Sequence, residues 1–336
     1  MMKALVLSGG KGTRLQPLTF TCTKQLLPIA NKPVLGYVLD QIANTGIKTV
    51  GIITAPKTVQ SVKNYVHDGT KWNIKITYIQ QEPLGIAHAV KTAQPFLKQK
   101  NFLMCLGDTL TGQNIEPFIK KFKNKKPDAL ILLKEVQNPQ DFGNAQLDKE
   151  SNIIKIVEKP KKPLSNLAAT GIYIFSNKIH QAIDQIKPSK CGELEITDAI
   201  QEMIDMNFTV KAAILKSWWI DTGKKDNIIT ANTKILDKYL THNIQGSLTN
   251  SAVIGKTKIE PHTKIINSTI YGPCIIDKNV TIENSAIGPY VSIGASSYII
   301  NSNIKHSIIQ ENTTIKNIKQ IENSITEKNQ KNNPIA

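Results

Sequence analysis

Residues 250–300 read NSAVIGKTKIEPHTKII (250–266), NSTIYGPCIIDKNVTIE (267–283) and NSAIGPYVSIGASSYII (284–300), three 17-residue stretches that each begin with Asn-Ser. Aliphatic residues recur through them at steps of 5 or 6 residues, as in the series Ile259, Ile265, Ile270 and Ile276. Three short steps per repeat suit a triangular coil in which one aliphatic side chain per strand points inward. The repeat therefore predicts a left-handed parallel β-helix over residues 246–326, whereas a β-sandwich would space its strands about 8–12 residues apart.

The chain before residue 246 has a different sequence pattern, in which short apolar runs alternate with helix-length amphipathic stretches. Buried strands are predicted at residues 3–7, 49–54 and 102–106, and a helix at 34–45. Such alternation is typical of an α/β fold with a mostly parallel, Rossmann-like sheet. We therefore expect three regions: a first domain over 1–245, the β-helix over 246–326 and a polar, disordered tail over 327–336.

Composition narrows the classes of function. The 336 residues carry a net charge of +16, but the lysines are scattered without a basic stripe, so nucleic-acid binding is not expected. No apolar run approaches the length of a membrane span. The start Met1-Met2-Lys3 leads directly into a strand-like run, which predicts no secretory signal. The four cysteines lack metal-ligand spacing and suit a reducing environment, so we expect a cytoplasmic protein.

The first predicted strand runs into a glycine-rich loop, SGGKGTRLQP (8–17). Glycines let the backbone approach a phosphate group and present its amides. The spacing matches neither a Walker loop nor a Rossmann dinucleotide motif, and a glycine turn by itself is often structural. However, Arg14 is the only arginine among 42 basic residues, and Lys24 follows ten residues later. These two cations favour an anion-binding loop.

Two apolar strands each end in a carboxylate. The run FLMCLG (102–107) leads to Asp108, and WWI (218–220) leads to Asp221. Sites of α/β proteins lie at the carboxyl ends of the parallel strands. Two carboxylates together with substrate phosphates are the ligands that Mg²⁺ prefers. Either aspartate alone would more simply cap a turn, so the pair is what predicts a Mg²⁺ site.

These segments together closely resemble the glucose-1-phosphate thymidylyltransferases, in the long form that ends in a left-handed β-helix. The resemblance spans nearly the whole chain and rests on the order and spacing of LSGGKGTRLQP (7–17), KQLLP (24–28), PLGIAHA (83–89), LGD (106–108), VEKP (157–160), TGIY (170–173), GELEITD (192–198) and DTG (221–223). It implies that residues 1–245 form a nucleotidyltransferase catalytic domain. This domain would couple dTTP to glucose 1-phosphate and release pyrophosphate.

The resemblance also implies a role for each residue of the site. The catalytic residues would be Arg14 and Lys24, beside the triphosphate, and Lys159, which would grip the sugar phosphate. The nucleotide-binding residues would be Gly9 and Gly10 at the triphosphate, Gln25, and Gln80 with Gly85 at the pyrimidine edge. The sugar-binding residues would be Gly143, Glu158, Thr170 and Gly171. The Mg²⁺ ligands would be Asp108 and Asp221.

The implied reaction is in-line attack by a sugar-phosphate oxygen on the α-phosphorus. The second pKa of a phosphate monoester is about 6, so the nucleophile is largely dianionic near neutral pH and requires no general base. UTP or GTP as the nucleotide stays open, because a pocket discriminates only modestly for one methyl group.

An acyltransferase activity in the β-helix also stays open, with His262 and His306 as the histidines within the coils. A non-catalytic sensor of sugar nucleotides is disfavoured because both aspartates and the basic residues are present. Coils offer flat faces and open ends, so we expect a homo-oligomer.

Overall fold

The computed structural model describes residues 1–10, 12–20 and 22–331. The chain divides into two compact units. The sheet unit comprises Met1–Lys11 and Leu35–Asp221, and the coil unit comprises Gly12–Val34 and Thr222–Ala336. The domain boundary at residue 245 and the disordered tail stay predictions. Residues 332–336 of that tail lie outside the described part of the chain, as does Lys11 of the glycine-rich loop.

Eight α-helices lie within the described residues: α1 (Val34–Asn44), α2 (Val59–Val66), α3 (Ile86–Thr92), α4 (Gln94–Leu97), α5 (Glu116–Lys125), α6 (Ile179–Gln185), α7 (Ile196–Asp205) and α8 (Lys225–Tyr239). Over the same residues, no helix combines the length and the apolar character that crossing a membrane requires.

The strands are, in chain order, β1 (Lys3–Ser8), β2 (Pro28–Ile29), β3 (Lys32–Pro33), β4 (Thr49–Thr54), β5 (Lys75–Gln80), β6 (Phe102–Leu106), β7 (Thr109–Thr111), β8 (Ala129–Glu135), β9 (Gly143–Leu147), β10 (Ile153–Glu158), β11 (Leu167–Phe175), β12 (Val210–Ile214), β13 (Trp219–Asp221), β14 (Asn243–Ile244), β15 (Ser247–Thr249), β16 (Ala252–Ile254), β17 (Thr257–Ile259), β18 (Lys264–Ile266), β19 (Thr269–Tyr271), β20 (Cys274–Ile276), β21 (Thr281–Glu283), β22 (Ala286–Ile287), β23 (Val291–Ile293), β24 (Tyr298–Ile300), β25 (Asn303–Lys305), β26 (Ile308–Ile309), β27 (Thr314–Lys316) and β28 (Ile321–Glu322).

The sheet unit is built on a nine-stranded sheet in the order β10-β9-β11-β6-β1-β4-β5, with β8 pairing with β11 and β12. Strand β1 lies parallel to both β4 and β6, and β4 lies parallel to β5. Parallel strands are covered on both faces, which explains why β1, β4 and β6 are almost continuously apolar. Strand β11 is antiparallel to its neighbours β6 and β8. The α/β fold with a Rossmann-like sheet is confirmed.

The coil unit contains three five-stranded parallel sheets, β14-β17-β20-β23-β26, β15-β18-β21-β24-β27 and β16-β19-β22-β25-β28. Successive strands of the chain therefore belong to different sheets, and each sheet gains one strand per coil. Ile265 pairs with Ile282, and Ile270 pairs with Ile287. All four side chains are fully buried in one apolar column. This arrangement of one inward isoleucine per strand confirms the predicted β-helix fold.

A ladder of Asn-Ser pairs at one corner of the coils explains the repeated dipeptide. The asparagines have left-handed backbone, with φ of 49° at Asn267 and 47° at Asn284, a conformation that Asn tolerates better than most residues. Ser251, Ser268 and Ser285 each accept a hydrogen bond from the backbone N–H of the serine in the next coil. The N–H of Ser285 donates to Ser268 Oγ at 3.0 Å, and that of Ser302 donates to Ser285 Oγ at 3.1 Å. The dipeptide thus turns the chain and joins the coils.

Candidate active site

The carboxyl edge of the parallel strands brings several predicted site residues onto one side of the sheet unit. Strands β1 and β6 are neighbours, with Leu7 paired to Leu106. Gly9 and Gly10 follow the first strand, and Asp108 follows the second. The N–H of Gly107 donates to Leu7 O at 2.9 Å, which fixes this exit from β6 against β1. Gln80 is the last residue of β5, which is separated from β1 in the sheet by β4.

The two predicted Mg²⁺ ligands lie at the same end of a short two-stranded ladder. Strand β7 begins directly after Asp108 and pairs antiparallel with β13, so that Asp221 stands opposite Thr109. Asp108 is buried, with 6% of its surface exposed, and Asp221 is half-buried. Among the described residues, no group of three or more His, Cys, Asp or Glu could hold a metal ion. A pair of carboxylates fits Mg²⁺, which commonly completes its shell with water and substrate phosphates.

Gly143 and Glu158 meet on the antiparallel pair β9–β10, where they are direct partners. Lys159 Nζ lies 3.2 Å from Glu158 Oε1, and Thr197 Oγ1 donates to Glu158 Oε2 at 3.3 Å. A Cβ at position 143 would lie 2.6 Å from Thr197 Cγ2 and 3.2 Å from Glu158 Oε2. A side chain there would therefore push Thr197 aside and crowd the Glu158 carboxylate, which explains the glycine. The structure brings together three residues that sequence reasoning assigned to the sugar phosphate.

Thr170 and Gly171 lie in the middle of β11, where its pairing with β8 shifts register. Gly171 has φ of 81°, and a Cβ there would lie 2.7 Å from Leu106 Cδ1. The Thr170 hydroxyl donates to Leu132 O at 2.8 Å, and the Thr170 carbonyl accepts from Trp219 Nε1 at 2.9 Å. Because Trp219 begins β13, this bond connects the predicted sugar-binding strand to the strand that carries Asp221.

Sequence reasoning missed Trp219 and Thr197 as members of the site. Trp219 also makes an edge-to-face contact with Phe142, the residue before Gly143, at 5.1 Å between ring centroids. An indole that donates inward while packing on a loop is a common way to fix two strands together. The pair of tryptophans before Asp221 and the threonine within GELEITD (192–198) were the available signals.

Two carboxyl groups near Glu158 have pKa values above the usual range. Burial, and then the charges of Glu158 and Glu193, raise the pKa of Glu195 above its usual range. Burial, and then Glu158, likewise raise the pKa of Asp198. Both carboxyl groups therefore hold a proton to higher pH than an exposed acid does. A protonated carboxyl donates a hydrogen bond as well as accepting one.

Gly85 lies where two backbone segments cross. It precedes α3 with φ of 106°, and a Cβ there would lie 2.4 Å from Leu194 O. The N–H of Leu194 donates to Leu84 O at 2.9 Å, and that of Ala87 donates to Leu194 O at 3.0 Å. The glycine is thus required by close backbone approach, while Gln80 is exposed at the end of β5.

The coil unit holds the remaining predicted residues, Arg14, Lys24 and Gln25. Arg14 is exposed in a single 3₁₀ turn, Thr13–Leu15, and Lys24 begins a second one, Lys24–Leu26. Gly12 directly precedes the first turn and has φ of 65°, and a Cβ there would be 3.2 Å from Lys24 Cβ. The two cations are therefore on neighbouring turns. Gln25 is 1% exposed, and its Oε1 accepts from Thr23 Oγ1 at 2.6 Å.

The chain belongs to the nucleotidyl transferase family, because the family model of that description matches residues 3–238. A glucose-1-phosphate thymidylyltransferase from Streptomyces antibioticus is 40% identical over 331 residues, covering 98% of this chain and 92% of that protein. A low-salt glycan biosynthesis nucleotidyltransferase from Haloferax volcanii is 37% identical over 329 residues, covering 96% of this chain and 92% of that protein.

A solved structure is also similar. The crystal structure from Bacillus anthracis assigned as a glucose-1-phosphate thymidylyltransferase, in complex with a sucrose, matches with a TM-score of 0.66 at 33% identity. It covers 70% of this chain and 95% of that chain. The resemblance to the glucose-1-phosphate thymidylyltransferases is thus confirmed at the level of the whole chain, and the chain is a nucleotidyltransferase. The role of each site residue stays a prediction.

Proposed function

We propose that the protein transfers the nucleotidyl group of dTTP to glucose 1-phosphate, giving dTDP-glucose and pyrophosphate. The observation that supports the proposal is the β7–β13 ladder, which has Asp221 opposite Thr109, the residue after Asp108, while β6, which ends just before Asp108, pairs with β1, which ends just before Gly9 and Gly10. The names of the relatives supply the choice of dTTP and glucose 1-phosphate.

The triphosphate would be bound by the backbone of Gly9 and Gly10 and by the side chains of Arg14 and Lys24. Fixed cations and amides stabilise charge that develops on the departing pyrophosphate, and in a partly dry site this stabilisation is stronger than in water. Asp108 and Asp221 would hold Mg²⁺, which when bound neutralises phosphate charge. Gln25, Gln80 and Gly85 would bind the nucleotide, the last two at the pyrimidine edge.

The sugar phosphate would be held on the β9–β10 side of the sheet. Lys159 is exposed beside Glu158 and would contact the phosphate, while Glu158, Gly143 and the Thr170–Gly171 backbone would orient the hexose. The phosphate oxygen already carries its negative charge near neutral pH. Catalysis then consists of positioning this oxygen in line with the α-phosphorus and neutralising the anions around it.

The acyltransferase alternative is the less supported of the two. His262 and His306 both have positive φ, 61° and 42°, as the turn residues at the corners of the coils do, and His306 lies against the Tyr290 ring at 5.0 Å between centroids. Cytoplasmic location and self-association stay part of the proposal. Ile254 and Tyr271, exposed neighbours on β16 and β19, are apolar side chains that a second copy could cover.

Pyrophosphate release across a grid of nucleoside triphosphates and sugar 1-phosphates tests the proposal. We expect the highest kcat/KM with dTTP and glucose 1-phosphate, and turnover that depends on Mg²⁺. Faster turnover of UTP, or of GTP with mannose 1-phosphate, would leave the reaction class intact and overturn the substrate assignment. Transfer of an acetyl group from acetyl-CoA would support the alternative.

A further inference from the structure

The hairpin β2–β3 that follows the Lys24–Leu26 turn has an unusual residue at its tip. Its two-residue loop consists of Ala30 and Asn31, which have φ of 47° and 59°. Two-residue hairpins with positive φ at both positions strongly favour Asn-Gly or Asp-Gly. Asn suits this conformation but Ala does not, because its Cβ crowds the backbone. Something outside the hairpin must hold Ala30 in place.

Asn232 on α8 makes the contact that does so. The N–H of Ala30 donates to Asn232 Oδ1 at 2.9 Å, and Ser292 Oγ on β23 donates to the same oxygen at 2.6 Å. Asn232 Nδ2 donates in turn to Tyr290 O at 3.2 Å. Asn232 is 1% exposed and Ser292 is fully buried. One buried amide thus joins the hairpin, α8 and one coil of the β-helix.

Ser292 does not belong to the repeat. The residues in line with it on the neighbouring coils are Lys258, Ile275 and Ile308, so this row has no fixed residue type and lies beside the buried row of Ile276, Ile293 and Ile309. A polar residue buried outside a periodic pattern needs a specific partner, since an unsatisfied hydroxyl in this environment would destabilise the fold. Its partner is the oxygen that also accepts from Ala30.

One further contact ties the same segment to the coils. Asn31 Nδ2 donates to Ile293 O at 2.8 Å, in the strand that contains Ser292. The hairpin tip is therefore bonded to Asn232 through Ala30 and to the β-helix directly through Asn31, and Lys24 and Gln25 lie a few residues before it.

We propose that Asn232 is a positioning residue through which the β-helix fixes the segment carrying Lys24 and Gln25. This inference rests on the proposed nucleotide-binding roles of those two residues. The path is short: the N–H of Leu27 donates to Lys24 O at 3.3 Å, and Leu27 O accepts from Val34 on the far side of the hairpin. Loss of the Asn232 amide releases the hairpin tip, and the Lys24 turn loses its fixed position.

Paired kinetics and amide hydrogen exchange on the full-length protein test this inference, using Asn232→Ala and the matched variant Ser302→Ala. Ser302 is a buried rung of the serine ladder, so its loss weakens the β-helix without touching the hairpin. For Asn232→Ala we expect exchange to rise at least about tenfold in residues 23–33. We also expect kcat/KM for the nucleotide to fall about tenfold, with KM for the sugar phosphate unchanged. Ser302→Ala should change neither.

Each outcome decides the inference. Unchanged exchange in residues 23–33 of Asn232→Ala overturns it, whatever the substrates prove to be. Faster exchange with an equal loss for both substrates, or with the same changes in Ser302→Ala, overturns the positioning role and leaves a general stabilising one. Failure of dTTP and glucose 1-phosphate to react in the wild type refutes the proposed function instead, and the exchange comparison still decides the coupling. If Asn232→Ala does not fold, Ser292→Ala should show a smaller change in the same residues, and no change there overturns the inference.

Discussion

The sheet unit and the coil unit both depend on polar residues, but they use them in opposite ways. In the sheet unit, polar residues such as Asp108 and Asp221 are not part of any repeat. They stand where strands end and short loops begin. In the coil unit, the buried serines return every coil and bond to one another. Polar residues that repeat stabilise the fold, whereas polar residues outside a repeat make individual contacts and are the candidates for functional roles. Ser292 follows this distinction, because it is not one of the repeated Asn-Ser serines and its hydroxyl donates to Asn232 Oδ1.

The largest effect should come from truncating a repeated core residue, which should lower the free energy of unfolding without acting directly on catalysis. Ile282 is fully buried between coils, so Ile282→Ala should lower the free energy of unfolding by about 2–5 kcal/mol. Denaturant unfolding measures this change, and Ile254→Ala, at a half-exposed isoleucine of β16, is the matched control with little expected effect. If Ile282→Ala lost turnover while remaining as stable as the wild type, the division between fold and site would be wrong.

The next largest effect should come from the unrepeated aspartates, which ought to harm catalysis alone. Asp108→Asn and Asp221→Asn each remove a charged Mg²⁺ ligand, so turnover should fall about 100- to 1,000-fold, or roughly 2.7–4 kcal/mol. Steady-state kinetics at limiting Mg²⁺ measure the loss, and unfolding curves check that stability is kept. Asp184→Asn, at an exposed acid paired with Lys91, controls for loss of one carboxylate. Near-normal turnover in either site variant would remove that residue from the metal site.

The smallest effect concerns Arg14, which lies in the coil unit but outside its repeats. Lysine keeps the charge, whereas guanidinium offers a planar fork that can contact two phosphate oxygens. Arg14→Lys should lose one charge-assisted hydrogen bond, about 1.5–3 kcal/mol, which is about 10- to 150-fold in kcat/KM.

Kinetics of Arg14→Lys against both substrates discriminate the possible roles. A change below about twofold would mean that arginine is accidental at this exposed position. A loss confined to the KM of the sugar phosphate would place Arg14 with the other substrate.

The β-helix was predictable because its 17-residue repeat is visible in the sequence. The strands 49–54 and 102–106 were predictable for another reason, since buried parallel strands are mostly apolar runs. The reason for Asn-Ser was not predictable. It depends on a left-handed corner and on a hydrogen bond between coils, and neither is visible without knowing which residues stack. The position of Asp221 opposite Thr109, one residue after Asp108, likewise depends on a three-residue ladder, β7–β13, that is too short to leave a pattern in the sequence.

Residues that join distant segments escaped sequence analysis altogether. Trp219 and Thr197 join the candidate site because Trp219 donates to the Thr170 carbonyl and Thr197 donates to the Glu158 carboxylate. Residues 12–34 group with the coils rather than with the strand that precedes them. Local propensity and periodicity carry no information about such long-range contacts.

The serine ladder also bears on how the length of the protein can change during evolution. Its bonds join residues 17 apart through three coils, from Ser251 to Ser302. Duplicating or excising one whole coil therefore presents every donor with an equivalent acceptor, so length can vary in steps of one coil without a new core. Such a change after Ile325 would leave the hairpin contact untouched. A change before Tyr290 would move Ser292 away from Asn232, and so we expect lineages to differ in coil number only on the far side of that contact.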